Sequence, residues 1–164
     1  MTWEKLKQVI DDLKEKFRDS IEGEVYVERK IGKVILRRDS LIEVARYLRD
    51  VHGFDQVKGV TGVDLVKLKE GGGPFIEVIY HLGSLDSPEL IDTILNISVR
   101  LDRENPRISS LYTVWPSVEY HEREVYEMFG VIFEGHPNLK RLLLPEYWMD
   151  IPPLRKDYKI PGRD

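Results

Sequence analysis

The sequence offers four histidines, His52, His81, His121 and His136, alongside 29 carboxylates and no cysteine, and any acid–base or metal chemistry must come from these groups. A zinc-binding helix needs a second histidine four residues after the first. His121-Glu122 has Val125 at that place, and no other histidine pair stands at ligand spacing. His136, directly before Pro137, suits a turn in which the ring bonds nearby backbone. The lack of cysteine removes disulfides, thiolate metal sites, cysteine-bound iron–sulfur clusters and cysteine nucleophiles together. No G-x-S-x-G nucleophile elbow occurs. Gly71-Gly72-Gly73 leads into Pro74 rather than the Lys-Ser or Lys-Thr of a phosphate loop, so it reads as a turn. The expectation is no catalytic, cofactor-binding or metal-ligating residue in this chain, with any redox cofactor held by a partner.

Composition narrows the remaining classes. A net charge of -4 with 33% charged residues argues against a nucleic-acid binder, which needs a basic domain or stripe. The longest apolar runs, at 75–80 and 142–144, fall far short of the roughly 18 residues that cross a bilayer. The first residues mix acidic and basic side chains with no apolar stretch, so no secretory signal is expected and the chain is expected to stay in the cytoplasm. With 164 residues, 41% of them hydrophobic, one core is expected. The domain is placed at 1–130 and an extended C-terminal arm of the same unit at 131–164.

The specific signals lie late in the chain. Residues 115–130 read as a helix begun by Pro116 and ended by Gly130. On it Glu119, Arg123 and Glu127 are successive i,i+4 neighbours, so the spacing predicts that the Arg123 guanidinium is held between two carboxylates. Prolines 137, 145, 152, 153 and 161 then bar any long helix, while Leu142, Leu143, Leu144, Tyr147 and Trp148 need burial. An apolar, proline-broken arm of this kind suits docking on another protein.

The elements that must carry this segment are legible upstream. Leu6, Val9, Ile10, Leu13 and Phe17 recur at helical spacing over 3–17, with Thr2 available as a cap. Two β-rich runs, 25–29 and 33–37, flank Ile31-Gly32 as a hairpin, and Ser40 with Glu43 has capping-box spacing before a second helix ending near Gly53. Strands follow at 60–68, 75–82 and 94–101, the last alternating Leu95, Ile97, Val99 and Leu101 with polar residues. Ser87 and Pro88 open either a short helical turn or a plain loop. The fold class expected is α+β: a mostly antiparallel or mixed sheet with helices packed on one face, plus the extended C-terminal docking arm.

Three ordered blocks then resemble a known family: Glu122-Arg123-Glu124-Val125-Tyr126-Glu127-Met128-Phe129-Gly130, Phe133-Glu134-Gly135-His136-Pro137-Asn138-Leu139-Lys140-Arg141, and Pro153-Leu154-Arg155-Lys156-Asp157. They look like the signature of the 30-kDa subunit family of respiratory complex I, with a lead-in from Pro106 to Leu111 and Trp115. The chain departs from the pattern with Tyr120 where Trp is expected and Glu127 where Asp is more usual, both keeping side-chain character. The resemblance implies a cofactor-free subunit in the peripheral, hydrophilic arm of a membrane-bound oxidoreductase, on the cytoplasmic side. It would pack on a hydrogenase-large-subunit-like chain and an iron–sulfur, small-subunit-like chain, with membrane subunits reached indirectly. Iron–sulfur clusters, and in some complexes a NiFe centre, would lie in those partners. The implied signature residues are Glu122, Arg123, Glu124, Tyr126, Phe129 and Gly130 on the helix, and His136, Pro137, Arg141, Leu154, Arg155, Lys156 and Asp157 along the arm. Length and the Glu- and Lys-rich surface favour an archaeal ferredoxin-linked hydrogenase or sulfur-reducing complex; the alternatives are the same role in an NADH- or F420H2-quinone oxidoreductase and, more distantly, a free-standing protein-binding domain.

Overall fold

The periodicities set the layers: helical spacing at 3–17 and 41–50 makes two amphipathic helices, and three alternating runs between 56 and 102 make strands that need a covered face. In the computed structural model, which describes residues 2–163, with side chains from 3 to 163, these become helices α1 (Thr2–Lys16), α2 (Leu41–Asp50) and α3 (Glu119–Phe129). The strands are β1 (Tyr26–Glu28), β2 (Ile31–Ile35), β3 (Gln56–Asp64), β4 (Phe75–Gly83), β5 (Ile94–Asp102), β6 (Arg107–Ser109) and β7 (Ile132–Glu134). Five strands form one sheet in the order β1-β2-β5-β4-β3, and β6 with β7 forms a second, parallel pair. The main sheet is mixed: β2 runs parallel to β5, and the other pairings are antiparallel. One face of β4 and β5, with Ile76, Val78, Tyr80, Leu82, Leu95, Ile97, Val99 and Leu101, joins the buried face of the helices in a single core.

Local departures from the sequence reading have identifiable causes. The hairpin turns at Arg29-Lys30, not at Ile31-Gly32, because Arg29 takes the left-handed φ of 54°. Gly32 serves instead as a contact point: a Cβ there would lie 2.6 Å from Ile10 Cδ1, so its absence lets α1 lie on β2. Strand β3 starts and ends earlier than the 60–68 expected, since Lys67 turns left-handed (φ 65°) and the Leu65 carbonyl accepts from the Gly73 amide to close the turn. Ser40 is not a cap. Its φ and ψ of -97° and -5° lie outside the extended region that aims a capping oxygen, and its hydroxyl donates to Ser20 Oγ at 2.8 Å. Thr2 is already the first residue of α1, and its side chain lies outside the described residues. Residues 88–92 form a turn that buries Leu90.

Helix α3 reaches β3 through another small residue. A Cβ on Gly62 would stand 2.5 Å from the Phe129 ring, so glycine there sets how closely the last turn of α3 approaches the sheet edge. Pro116 opens a 3-10 turn, Pro116–Val118, that leads into α3, and Gly130, at φ 78°, closes it with its amide on the Tyr126 carbonyl. Before it, Trp115 is buried and donates Nε1–H to the Phe54 carbonyl at 2.9 Å.

Candidate docking site

The charges of α3 do not pair along the helix. Among the described residues no ion pair joins Arg123 to Glu119 or Glu127. Arg123 instead donates Nε–H to the Lys140 carbonyl and Nη2–H to the Arg141 carbonyl, both at 2.9 Å. The Glu127 carboxylate accepts from the amides of Leu142, Leu143 and Leu144 at 2.8 to 3.1 Å. The expected Glu–Arg–Glu triplet is corrected on physical grounds. An i,i+4 pair on a helix surface is worth a few tenths of a kcal/mol, whereas the arm beyond β7, barred by its prolines from a ladder, presents backbone groups that need partners.

The arm is held at further points. His136 Nε2 donates to the Glu119 carbonyl at 2.9 Å and Nδ1 accepts the Asn138 amide at 3.0 Å, which fixes the ring as the Nε2–H tautomer. Pro137 is exposed beside it. The exposed Arg141 side chain donates to the Glu146 and Trp148 carbonyls and so folds the arm on itself. Farther along, the Leu154 amide donates to the Met128 carbonyl at 3.0 Å and Arg155 Nε–H to the Phe129 carbonyl at 2.7 Å. Both use carbonyls freed at the end of α3. Gly130 makes room for this: a Cβ there would meet Arg155 Nη2 at 3.2 Å and Pro152 Cγ at 3.3 Å.

The last anchor is an ion cluster that the sequence reading missed. Arg103 forks onto Asp64 through Nε and Nη2, both at 2.9 Å, and Nη2 also reaches Asp157 at 2.9 Å. The Lys156 amide donates to Asp64 at 2.9 Å, while the Lys156 side chain is exposed. Burial alone would raise the Asp64 pKa, but the Arg103 fork and the Lys156 and Val66 amides outweigh it and hold the carboxyl at about 2. The folded value lies below the ordinary 3.8, so this carboxylate stabilises the fold above about pH 4 and loses that contribution as pH falls through 2. Denaturation at pH 6 and pH 2 is expected to show the wild type losing roughly 2 kcal/mol more than Asp64→Asn. An equal loss in both would refute the anchor.

Glu122 does more than shape the helix. It is fully buried and accepts from Tyr80 Oη at 2.8 Å, Ser110 Oγ at 2.5 Å and the Leu111 amide at 2.9 Å. Burial pushes its carboxyl upward despite these donors. Tyr80 lies in the 75–80 run and Ser110 in the lead-in from Pro106 to Leu111, but no spacing pairs either with Glu122; the available signal is that a tyrosine alternating with Ile76, Val78 and Leu82 must find a partner for its hydroxyl. Phe129 packs on Gly62, Tyr126 is half-buried beside Leu139, and Glu124 points to solvent.

The result is an arm gripped by its backbone with apolar side chains turned outward. Leu143 is 65% exposed, Tyr147 82%, Met149 96% and Leu154 55%. A groove of about 540 Å³ lies between Arg123, Tyr126, Leu139, Lys140, Arg141 and Glu146. Among the described residues no cluster of three or more His, Asp or Glu converges as a metal site would require, and no helix is long and apolar enough to cross a membrane.

Comparison with known proteins meets this geometry. Residues 34–164 match the family model of the respiratory-chain NADH dehydrogenase, 30 Kd subunit. The chain is 38% identical over 154 residues to the NADH-quinone oxidoreductase C subunit of Roseiflexus sp. (strain RS-1), covering 93% of this chain and 83% of that one. It is 35% identical over 159 residues to the F(420)H(2) dehydrogenase C subunit of Methanosarcina mazei, covering 96% and 94%. Among solved structures, a trypsin-resistant fragment of Nqo5 superposes with TM-score 0.67 at 27% identity, over 82% of this chain and 99% of that one. A chain of the membrane-bound sulfane sulfur reductase, an archaeal respiratory membrane complex, gives TM-score 0.72 at 24% identity over 95% and 86%, a likeness of fold.

Proposed function

The chain belongs to the family of the 30 Kd subunit of respiratory-chain NADH dehydrogenase, and we propose that it acts as a cofactor-free assembly subunit of the hydrophilic arm of such an oxidoreductase. Residues 131–164 are its docking arm, and Glu122, Arg123, Glu124, Tyr126, Phe129, Gly130, His136, Pro137, Arg141, Leu154, Arg155, Lys156 and Asp157 build or present it. The observation that carries this reading is the arm itself. Its backbone is satisfied from within the chain by Arg123, Glu127, Asp64 and the end of α3, while Leu143, Tyr147 and Met149 face outward. Ordering the arm in advance lowers the entropy cost of binding, and exposed aromatic and aliphatic anchors are what a protein interface uses.

The partners proposed are a hydrogenase-large-subunit-like chain and an iron–sulfur, small-subunit-like chain, with the complex at the cytoplasmic side of a membrane and the redox centres, iron–sulfur and in some complexes NiFe, in those partners. A ferredoxin-linked hydrogenase or sulfur-reducing complex is the reading that the Glu- and Lys-rich surface favours. The second reading, an NADH- or F420H2-linked quinone oxidoreductase, is favoured by the names of the 38% and 35% identical relatives.

A variant carrying Leu143→Asp, Tyr147→Ser and Met149→Asp tests the arm. It is expected to keep the wild-type melting temperature, since these side chains lie outside the core, while recovery of partner chains with the tagged protein drops roughly tenfold or more. Full recovery of partners would remove the arm from the interface.

A further inference from the structure

The helices cover one face of the main sheet, and the opposite face carries apolar side chains that no helix covers among the described residues. Strand register aligns Ile31, Ile35, Ile79 and Ile94 there, with Tyr26 and Phe75 toward its margins. None of these packs against the core cluster. Tyr26, Ile31 and Phe75 are 49%, 46% and 39% exposed, on different strands of one face.

The charges on this face are unequally matched. Glu77, its side chain 5% exposed, takes Lys33 Nζ at 2.7 Å and the Ser98 hydroxyl at 2.8 Å, so that pair neutralises itself. Arg100 stands directly across from Glu77 in the β4–β5 register yet forms no ion pair among the described residues. Its Nε–H is buried with no acceptor. Asp102, two residues along the strand, has turned its carboxylate to the Glu104 amide. A buried guanidinium N–H without an acceptor is uncommon, because the group forfeits its water without replacement. Arginine with aromatic and aliphatic neighbours is also the composition of an interface core.

We propose that this helix-free face is a second docking surface, covered in the assembly by a protein segment of a partner subunit that sets a carboxylate against the Arg100 guanidinium among apolar side chains. A second copy of this chain would offer from this face only Glu28, Glu77 and Asp102, each already accepting a bond within its own chain, whereas an acidic segment brings a free carboxylate to the half-buried Arg100, which no carboxylate meets among the described residues. The inference rests on the proposed assembly role, and the docking arm serves as its internal reference.

Hydroxyl-radical footprinting of the tagged chain, purified alone and within its solubilised assembly, reads both surfaces at once. Oxidation of Tyr26 and Phe75 is expected to fall on the order of fivefold on assembly, together with that of Tyr147 and Met149. Arg100→Gln, which removes the charge without setting a carboxylate against Glu77, is expected to restore labelling of Tyr26 and Phe75 in part while leaving the arm protected and the melting temperature of the lone chain unchanged; Arg100→Glu is expected to restore it fully, at a cost in melting temperature because it faces Glu77 across the strands. Protection of the arm with unchanged labelling of Tyr26 and Phe75 would overturn this inference and leave the arm standing. Labelling of all four unchanged would overturn both readings. Protection that survives Arg100→Glu, or a cross-link from this face to a second copy of the same chain, would overturn the acidic partner.

Discussion

Glu122→Ala is expected to lower stability by about 3–5 kcal/mol, the cost of stranding buried polar groups by removing their charged partner. Three donors converge on that carboxylate from separate parts of the chain: Tyr80 on β4, Ser110 and Leu111 after β6. Alanine would leave all three buried without an acceptor and open a void between α3 and the sheet. Against a typical total of about 5–15 kcal/mol, such a loss brings the domain near unfolding. Glu122→Gln keeps one carbonyl oxygen for Tyr80 and Leu111, so its loss is expected to be smaller. Urea denaturation of the three proteins decides the matter, and an alanine variant within 1 kcal/mol of wild type would refute the role. The pH sense differs from that of Asp64. Burial raises the Glu122 pKa above its ordinary 4.5, so the native state holds this proton more tightly than the unfolded chain. Its contribution therefore declines as pH rises from about 4.5 through the folded value.

Glu127→Ala is expected to act on assembly far more than on folding. Its carboxylate holds the amides of Leu142, Leu143 and Leu144, none of which belongs to a strand or helix. Removing it should cost about 1–2 kcal/mol globally, because the core is untouched. Local order should change more: hydrogen exchange at residues 142–144 is expected to speed up on the order of tenfold or more as the arm opens independently of the fold. Partner affinity should fall with it, since binding must then order the arm again. Exchange measured by mass spectrometry on the free chain separates the two effects. Unchanged protection at 142–144 would mean that the arm is held by its other contacts.

Elements with a strong period could be read directly from sequence. The positions Leu6 to Phe17 and Leu95 to Leu101 each repeat one spacing over several turns or pairs, and the structure buries those side chains. The hairpin pairs as expected, but the place of its turn and the capping box misled for a shared reason. Both depended on single backbone angles, at Arg29 and Ser40, that tertiary contacts set. The signature residues on α3 were legible as a group, but their partners were not. Arg123 and Glu127 satisfy the i,i+4 template equally well whether they pair with each other or with an irregular segment 15 to 18 residues away. The Asp64–Arg103–Asp157 cluster joins positions 39 and 54 residues apart, beyond any local rule. Only the placement of Asp64 on the core-facing side of β3, opposite Ile76, hinted that it needed a buried partner.

The most direct measurement places a photo-reactive residue at Met149, which is 96% exposed on the arm, and irradiates the tagged protein in its own membranes before gentle solubilisation. Mass spectrometry is expected to find the arm joined to a peptide of an oxidoreductase subunit, either hydrogenase-large-subunit-like or iron–sulfur-bearing, with the yield abolished by Glu127→Ala. A chain that stays unlinked at Met149 and leaves the membranes as a monomer would contradict the proposed assembly role.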